Sequence, residues 1–441
     1  MTGSGIPATL RAPRGVREIA ETLERAGFET WCVGGAIRDA LLGHPHLDWD
    51  FATAATPQQV QALFRKTVPV GIEHGTIGVR DRFGVLHEVT TFRRDVRTDG
   101  RHAVVEFGAS LDEDLARRDF TINAIAYSPI RQELRDPFGG RTDLDRRILR
   151  AVGEPSARMR EDRLRALRAL RFAGRFGLTI DGATWDAIHD SAPHLTRLSR
   201  ERVKQELEKT MQQVKRPSAS LLLWRASGAL EVLLPGLAAL DDVALRAPDH
   251  VGMPDDTRRT ERASLRTLVR LASLFAGLAP RDAVSALRGL RCSNRDVDAI
   301  ASVAEWRALL EADMREALGA GSPPSDGTVR RWAARCGRTN LALLLRTMGS
   351  RWAAEREMGG PAPAASAVGR LYCRALRIAY RDPIGTADLL IDGGDITKLG
   401  IAPGPRVGEI LRALLERVLD EPALNTRDQL LVLVRQMVAG G

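Results

Sequence analysis

Asp48 and Asp50 flank Trp49 in the run HLDWDFAT. On a strand, residues two apart point to one face, so the two carboxylates converge while Trp49 faces the other way. Carboxylates held that close repel, and a divalent cation relieves the repulsion. Mg²⁺ suits such a pair because it takes a few carboxylate oxygens and keeps positions for substrate phosphates. The chemistry that follows is two-metal phosphoryl transfer. Just upstream, Gly34 and Gly35 stand between the apolar run WCV and AIRDALL. Glycines there let the backbone approach a ligand, and the free N–H groups of a helix start form an anion site. Arg38 adds a planar fork suited to phosphate oxygens. Alone, an Asp-x-Asp or a Gly pair is ordinary loop or strand edge. The order strand, Gly-Gly, helix, strand, Asp-x-Asp is what points to a site.

The elements that must position these groups are legible around them. WCV reads as a short buried strand, AIRDALL as a helix opening at the Gly turn, and DWDFAT as a second strand. VREIAETLERAG before them reads as an amphipathic helix ending at a glycine. TPQQVQALF is a helix opened by Thr56 and Pro57, an N-cap and first-turn pair. VGIEHGTIGVR and GVLHEVTTFR alternate apolar and polar residues with β-branched enrichment, as a strand pair does. Glu88 on the second is a candidate third carboxylate beside the Asp pair; the alternative is an edge-strand acid. Arg93–Ala103, polar, charged and glycine-bearing, reads as a mobile loop. LDEDLARRDFTINAIAYS runs from a helix into a strand, and DPFGGRTDLDRRILRAVG reads as a turn and a helix.

Arg160–Phe176, REDRLRALRALRFAGRF, reads as a helix. Asp162 and Arg165, three apart, are neighbours on its surface, and Arg168 and Arg171 continue that side. Leu164, Leu167, Leu170 and Phe172 supply the apolar face. Read plainly, this is a salt-bridged basic helix. HLTRLSRERVKQELEKTM is a further helix, capped near Ser199 and basic on one side. His189-Asp190 resembles the start of a phosphohydrolase metal site, but no further His and Asp ligands follow at suitable spacing.

GGxxRDxLLG followed by DxD resembles the head-domain signature of class II tRNA nucleotidyltransferases and bacterial poly(A) polymerases, of the polymerase-β-like superfamily. RRDFTINA (Arg117 to Ala124) is similar to the second motif of that family, and EDRLRALRALR to its base-selecting motif. The resemblance implies that Asp48 and Asp50 are catalytic and hold Mg²⁺. It implies that Gly35, Arg38 and Arg118 bind the triphosphate, and that Asp162 and Arg165 read the base with Arg168 and Arg171 in support. ERVKQEL resembles the ERxxxEL element, a brace that also faces RNA, and GxxPGPxxGxxL resembles the tail of long class II enzymes.

The base selection so implied has a simple chemistry. A carboxylate only accepts hydrogen bonds and a guanidinium only donates them. Cytosine and adenine both present an amino donor beside a ring-nitrogen acceptor, so an Asp–Arg pair fits both. Uracil and guanine present a carbonyl beside a ring N–H, which sets acceptor against acceptor and donor against donor. The unpaired buried groups that result reject them.

The fold class expected is an α/β head, polymerase-β-like with a small mixed sheet and helices, followed by an all-α neck, body and tail. The boundaries expected are 1–152 for the head, 153–216 for the neck, 217–358 for the body and 359–441 for a tRNA-binding tail. GAGSPPSDG and GGPAPAASA read as linkers, and APDHVGMPDD as a Pro/Asp loop. The function implied is addition of C and A from CTP and ATP to the tRNA 3′ end, releasing pyrophosphate. Rival readings are a CC-adding or A-adding enzyme, a poly(A) polymerase, and an RNA-binding protein with an inactive head. GIEHGTIGV resembles the tRNA-enzyme version of its segment, and no strongly basic terminal extension is present, which favours the tRNA enzyme over the polymerase. An intact Asp pair speaks against the binder.

Composition agrees. At 441 residues, 44% hydrophobic and 27% charged, the chain has material for two to four domains. No apolar run approaches the ~20 residues of a membrane span. The first residues lack a signal-peptide core, so a cytoplasmic location is expected. Four scattered cysteines form no CxxC, which argues against structural zinc or a disulfide framework. The net charge is +9, and eleven arginines against five acids between Arg141 and Arg175 put a local +6 there, compatible with nucleic acid.

Overall fold

The computed structural model describes residues 10–43, 49–98, 103–252, 259–319 and 322–439. Asp48, the centre of the 93–103 stretch, the end of the 247–256 loop and two residues of the first linker lie outside the described residues. The chain divides into two compact units: Met1–Glu206 with Ala219–Leu233, and Leu207–Ser218 with Leu234–Gly441.

The first unit holds a seven-stranded mixed sheet, built by β1 (Thr30–Val33), β2 (Asp50–Thr53), β3 (Thr67–Gly71), β4 (Thr76–Arg80), β5 (Leu86–Thr91), β8 (Ala126–Ser128) and β9 (Glu133–Arg135). Between β5 and β8 in the chain come β6 (Arg93–Thr98) and β7 (Ala103–Phe107), which pair only with each other. The sheet order is β3-β4-β5-β2-β1-β8-β9, and its neighbours are antiparallel except β2 and β5, which run parallel. β1 is buried at all four residues because WCV sits mid-sheet and is covered on both faces. Trp31, Val33, Ala52, Phe92, Leu115 and Ala126 form one core cluster against the sheet. Truncating a side chain such as Phe92 to Ala there costs about 3–5 kcal/mol.

The local signals fold as read. Helix α1 spans Arg14–Arg25 and helix α2 spans Gly35–Leu41. Helix α3 (Pro57–Leu63) opens with a full capping box between Thr56 and Gln59. Helix α4 (Leu111–Ala116) repeats that device with Ser110 and Glu113. Helix α5 covers Gly140–Asp145. The expected mobile loop at Arg93–Ala103 is instead the β6–β7 hairpin, with a bulge between Asp95 and Arg97. β6, RRDVRT, has one apolar residue, which hid that strand; its hydrogen bonds to β7 define it.

Arg160–Phe176 is two helices rather than one. Helix α6 (Pro155–Glu161) stops at Asp162, and helix α7 (Leu164–Phe176) starts after it. Asp162 is extended, at φ −150° and ψ 106°, and its Oδ1 accepts the Leu164 N–H at 3.0 Å. Asp favours such a cap over a helix interior because its side chain competes for backbone donors. Asp162 is therefore no helix-surface neighbour of Arg165. Helix α8 (Gly182–Ser191) and helix α9 (Arg200–Gln213) follow, and the division between the two units falls within α9. His189 and Asp190 are exposed on α8, and no group of three or more metal-ligating side chains occurs among the described residues.

The second unit has only helices among its described residues. Its tail packs Leu389, Ile391, Ile396, Leu414, Val418, Leu430 and Val434 into one aliphatic cluster. The helix Pro405–Asp420 opens at Gly404, as GxxPGPxxGxxL suggests. No described helix is long and apolar enough to cross a membrane.

Candidate active site

The mouth of the site is the β1–α2 turn. Gly34 takes φ 78°, in the left-handed region that glycine favours, and a Cβ there would meet Arg118 Nη1 at 3.2 Å. Bare backbone at Gly34 thus faces the guanidinium of Arg118, and at Gly35 that of Arg38. Arg118 and Arg117 are held from behind by Asp114 on α4, whose Oδ2 and Oδ1 accept at 3.0 and 3.1 Å. Burial pushes the Asp114 carboxyl up, but the two guanidiniums outweigh it and keep it below its usual range.

Asp50 opens β2, opposite Val33 of β1. It lines a cavity of about 470 Å³ together with Gly34, Gly35, Arg38, Arg117, Arg118, Asp119, Asn123, Asp162, Leu164, Arg165, Arg168, Phe172 and Arg202. That volume lies in the range of small-molecule sites. Six residues expected from the sequence (Gly35, Arg38, Arg118, Asp162, Arg165, Arg168) therefore share one space with Asp50. Glu88 is exposed on β5 and is not part of that lining. Phe51 and Val89 are register partners, both buried, so Asp50 and Glu88, one residue earlier on each strand, share the opposite face.

Asp162 and Arg165 reach the cavity from different supports. Asp162 Oδ2 accepts from Arg202 Nη2 at 2.7 Å, so each of its oxygens keeps acceptor capacity. Arg165 donates through Nη1 to Glu161 Oε2 at 2.8 Å and through Nη2 to the Arg117 carbonyl at 3.0 Å. Arg202 comes from the ERxxxEL element, so the brace read there acts on Asp162 itself.

Arg38 lies deeper than a phosphate fork should. It is 4% exposed, and burial pulls its guanidinium below the ordinary range. Its Nε and Nη2 donate to Asp39 Oδ1 at 2.8 and 2.6 Å, and its Nη1 to Asn123 Oδ1 at 2.5 Å. The Phe172 and Phe176 rings stack on it, with centroids 5.0 and 4.5 Å from Cζ. Arg168 donates through Nε to Asp119 Oδ2 at 2.8 Å, and Asp119 raises its pKa further. Arg171 does not continue that side. It is 3% exposed, bonds Glu206 Oε2 at 2.7 Å and lies over the Phe172 ring, outside the cavity lining.

Sequence reasoning assigned no site role to Arg117, Asp119, Asn123, Phe172 or Arg202. The signal for most was present, since Arg117, Asp119 and Asn123 sit inside RRDFTIN. Arg202 had only the ERxxxEL pattern. A carboxylate donor set fits a hard divalent cation, and Asp50 supplies one such group at the cavity wall. The cation, when bound, would be held by Asp50 with its partner Asp48 of the same Asp-x-Asp.

Residues 30–150 match the poly A polymerase head domain, and residues 177–240 match the model described as the probable RNA and SrmB-binding site of polymerase A. The CCA-adding enzyme of Geobacillus thermodenitrificans is 45% identical over 52% of this chain; in that match the chain spans 56% of the relative's length. The CCA-adding enzyme of Limosilactobacillus reuteri is 33% identical over 96% of this chain and 97% of its own length. The chain belongs to the CCA-adding enzyme family. The crystal structure of the Bacillus stearothermophilus CCA-adding enzyme in complex with CTP superposes with a TM-score of 0.75 at 30% identity, covering 97% of this chain and 98% of that one. The mixed-sheet head with a helical remainder is thus the architecture of CCA-adding enzymes. Nucleotidyltransferases of this family generally use a divalent metal.

Proposed function

We propose that this chain adds C and A, taken from CTP and ATP, to the 3′ end of tRNA without a nucleic-acid template and releases pyrophosphate. The observation that carries the reading is the shared cavity. A carboxylate suited to a metal, a Gly-Gly turn beside a guanidinium, and an acid–base pair suited to a base edge all open onto one space. Family membership and the CTP-bound B. stearothermophilus relative support it.

The tRNA 3′-hydroxyl oxygen bonds to the α-phosphorus, and the bond from that phosphorus to the pyrophosphate oxygen breaks. Asp48 and Asp50 would hold Mg²⁺, which when bound would neutralise charge on the triphosphate and make the 3′-hydroxyl more acidic. The Gly34–Gly35 turn lets the triphosphate lie against backbone, and Arg118 donates to its oxygens. Asp162 accepts from the amino group of C or A, and Arg165 donates to the adjacent ring nitrogen. Arg168 holds that pair from the side, Arg38 and Arg171 act from beneath, and Glu88 stands as a third carboxylate on the metal-facing side. We also propose a head at 1–152, a neck at 153–216, a body at 217–358 and a tail at 359–441. The helical parts hold the acceptor arm by phosphates and shape, in a cytoplasmic setting.

The test offers purified protein tRNAs ending before the first C, the second C or the terminal A, with each labelled nucleotide separately. Completion to CCA, followed by a stop, is the expected result. Addition of C alone or of a single A points to a partial enzyme. Unlimited A on any RNA points to a poly(A) polymerase, and tRNA binding without addition points to an inactive head.

A further inference from the structure

We infer that Asn123 and Arg175 are positioning residues that fix the base-reading helix α7 against the triphosphate turn, and so set nucleotide selectivity from outside the base contact. The inference deepens the proposed reading and rests on it. Its basis is an unbroken series of hydrogen bonds that alternates donor and acceptor. Arg168 Nε donates to Asp119 Oδ2 at 2.8 Å, and Asn123 Nδ2 donates to Asp119 Oδ1 at 2.9 Å. Arg38 Nη1 donates to Asn123 Oδ1 at 2.5 Å, while its Nε and Nη2 donate to Asp39 Oδ1. Arg175 Nη2 closes the series on Asp39 Oδ2 at 3.2 Å.

An amide completes this series at position 123, where neither a guanidinium nor a carboxylate does. A guanidinium offers donors alone and a carboxylate acceptors alone, so the link between Arg38 and Asp119 must accept on one side and donate on the other. Asn123 does both, which also fixes the orientation of its amide. Arg38, Asp39, Asp119 and Asn123 are all at most 9% exposed. Burial pushes the Asp119 carboxyl up, yet Arg168 and the Asn123 amide hold it below its usual range.

Both ends of the series lie on α7, at Arg168 and Arg175, seven residues or about two turns apart. One attachment would leave the helix able to roll; two on one stripe, with Arg38 lying over the Phe172 and Phe176 rings, set both rotation and height. Asp162 lies just before this helix and Arg165 in its first turn, and Gly34–Gly35 at the start of the helix that carries Arg38 and Asp39. The distance between base reader and triphosphate turn is thereby built in. Without a template, that distance is what makes a wrong base edge miss its partners.

The experiment measures C, A, U and G incorporation into tRNA lacking its terminal CCA, for wild type, Asn123→Asp, Arg175→Gln and Arg175→Lys. Wild type that adds neither C nor A sinks the underlying reading, not this inference. With active wild type, Asn123→Asp and Arg175→Gln raise the ratio of U to C incorporation about tenfold, chiefly through a higher KM for CTP, while Arg175→Lys restores most of it. An equal fall for all four nucleotides, or a lowered melting temperature with an unchanged U to C ratio, overturns the inference and leaves these residues merely structural. Should Asn123→Asp fail to fold, Arg175→Gln decides alone, because the Arg175 side chain is 27% exposed and its removal buries no new charge.

Discussion

Two Arg–carboxylate pairs in this protein are nearly the same length and stand in opposite surroundings. Arg171 and Glu206 meet at 2.7 Å with side chains 4% and 1% exposed, behind the candidate site. Arg331 and Asp420 meet at 2.6 Å with side chains 36% and 61% exposed, in the helical second unit. Distance alone does not rank them. In water an ion pair gains little, because solvent screens it and two long side chains must be ordered; in the interior a broken pair strands a charge. Around the cavity, charge is architecture: Asp114, Asp119, Asp39 and Glu206 each fix an arginine from within. In the tail an aliphatic cluster carries the fold.

The largest effect expected from this contrast is on activity. Asp50→Ala should lower nucleotide incorporation by about 10³-fold or more, with tRNA binding near normal in a filter assay. Lost binding with intact incorporation would contradict the role given to Asp50. Next comes stability at the buried pair. Glu206→Ala removes the carboxylate that the buried Arg171 guanidinium meets at 2.7 Å, so thermal unfolding should shift down by about 10 °C, reflecting a loss of ~3–5 kcal/mol. A shift of a degree or less would mean that water reaches this pair.

A smaller effect is expected on acidification. Asp114 and Asp119 both have folded-state values below the ordinary 3.8. A depressed carboxylate contributes stability that is complete above its unfolded value and is lost as pH falls through the folded one. The urea midpoint should therefore fall from about pH 4 downward. Asp114→Asn should lower the midpoint at pH 7 and flatten the acid slope. The smallest effects belong to the exposed region. Arg331→Ala should cost about 0.5 kcal/mol or less, read from the same urea titration. Cys373 is exposed, whereas burial pushes the Cys336 thiol up to about 12 and raises Cys32 with help from Asp50. Alkylation at pH 8 should mark Cys373 and leave Cys32 and Cys336 until the protein unfolds.

What the sequence made legible was local. The WCV strand, the helix after Gly34–Gly35 and the Thr56–Pro57 helix start each depend on residues a few positions apart, and each formed as read. The resemblance to nucleotidyltransferases also held, through motifs whose order survives in one chain. The break at Asp162 stayed hidden because its neighbours are all good helix formers, and only the side-chain cap on Leu164 reveals it. The β6 strand stayed hidden because it carries charge where strands usually carry apolar residues. The buried series was illegible for another reason. Its links join residues 85, 49 and 136 positions apart, and no spacing rule reaches that far. Arg38 could be read as a phosphate fork, but its commitment to Asn123 needed the fold.

The central claim is that one cavity both holds the triphosphate and chooses the base. Calorimetric titration with CTP, ATP, UTP and GTP, each with Mg²⁺ and without tRNA, tests it most directly. CTP and ATP should bind at least about tenfold more tightly than UTP and GTP, and Arg165→Ala should erase the difference. Equal affinity for all four nucleotides in the unmodified protein, or selectivity that survives loss of Arg165, would contradict the account.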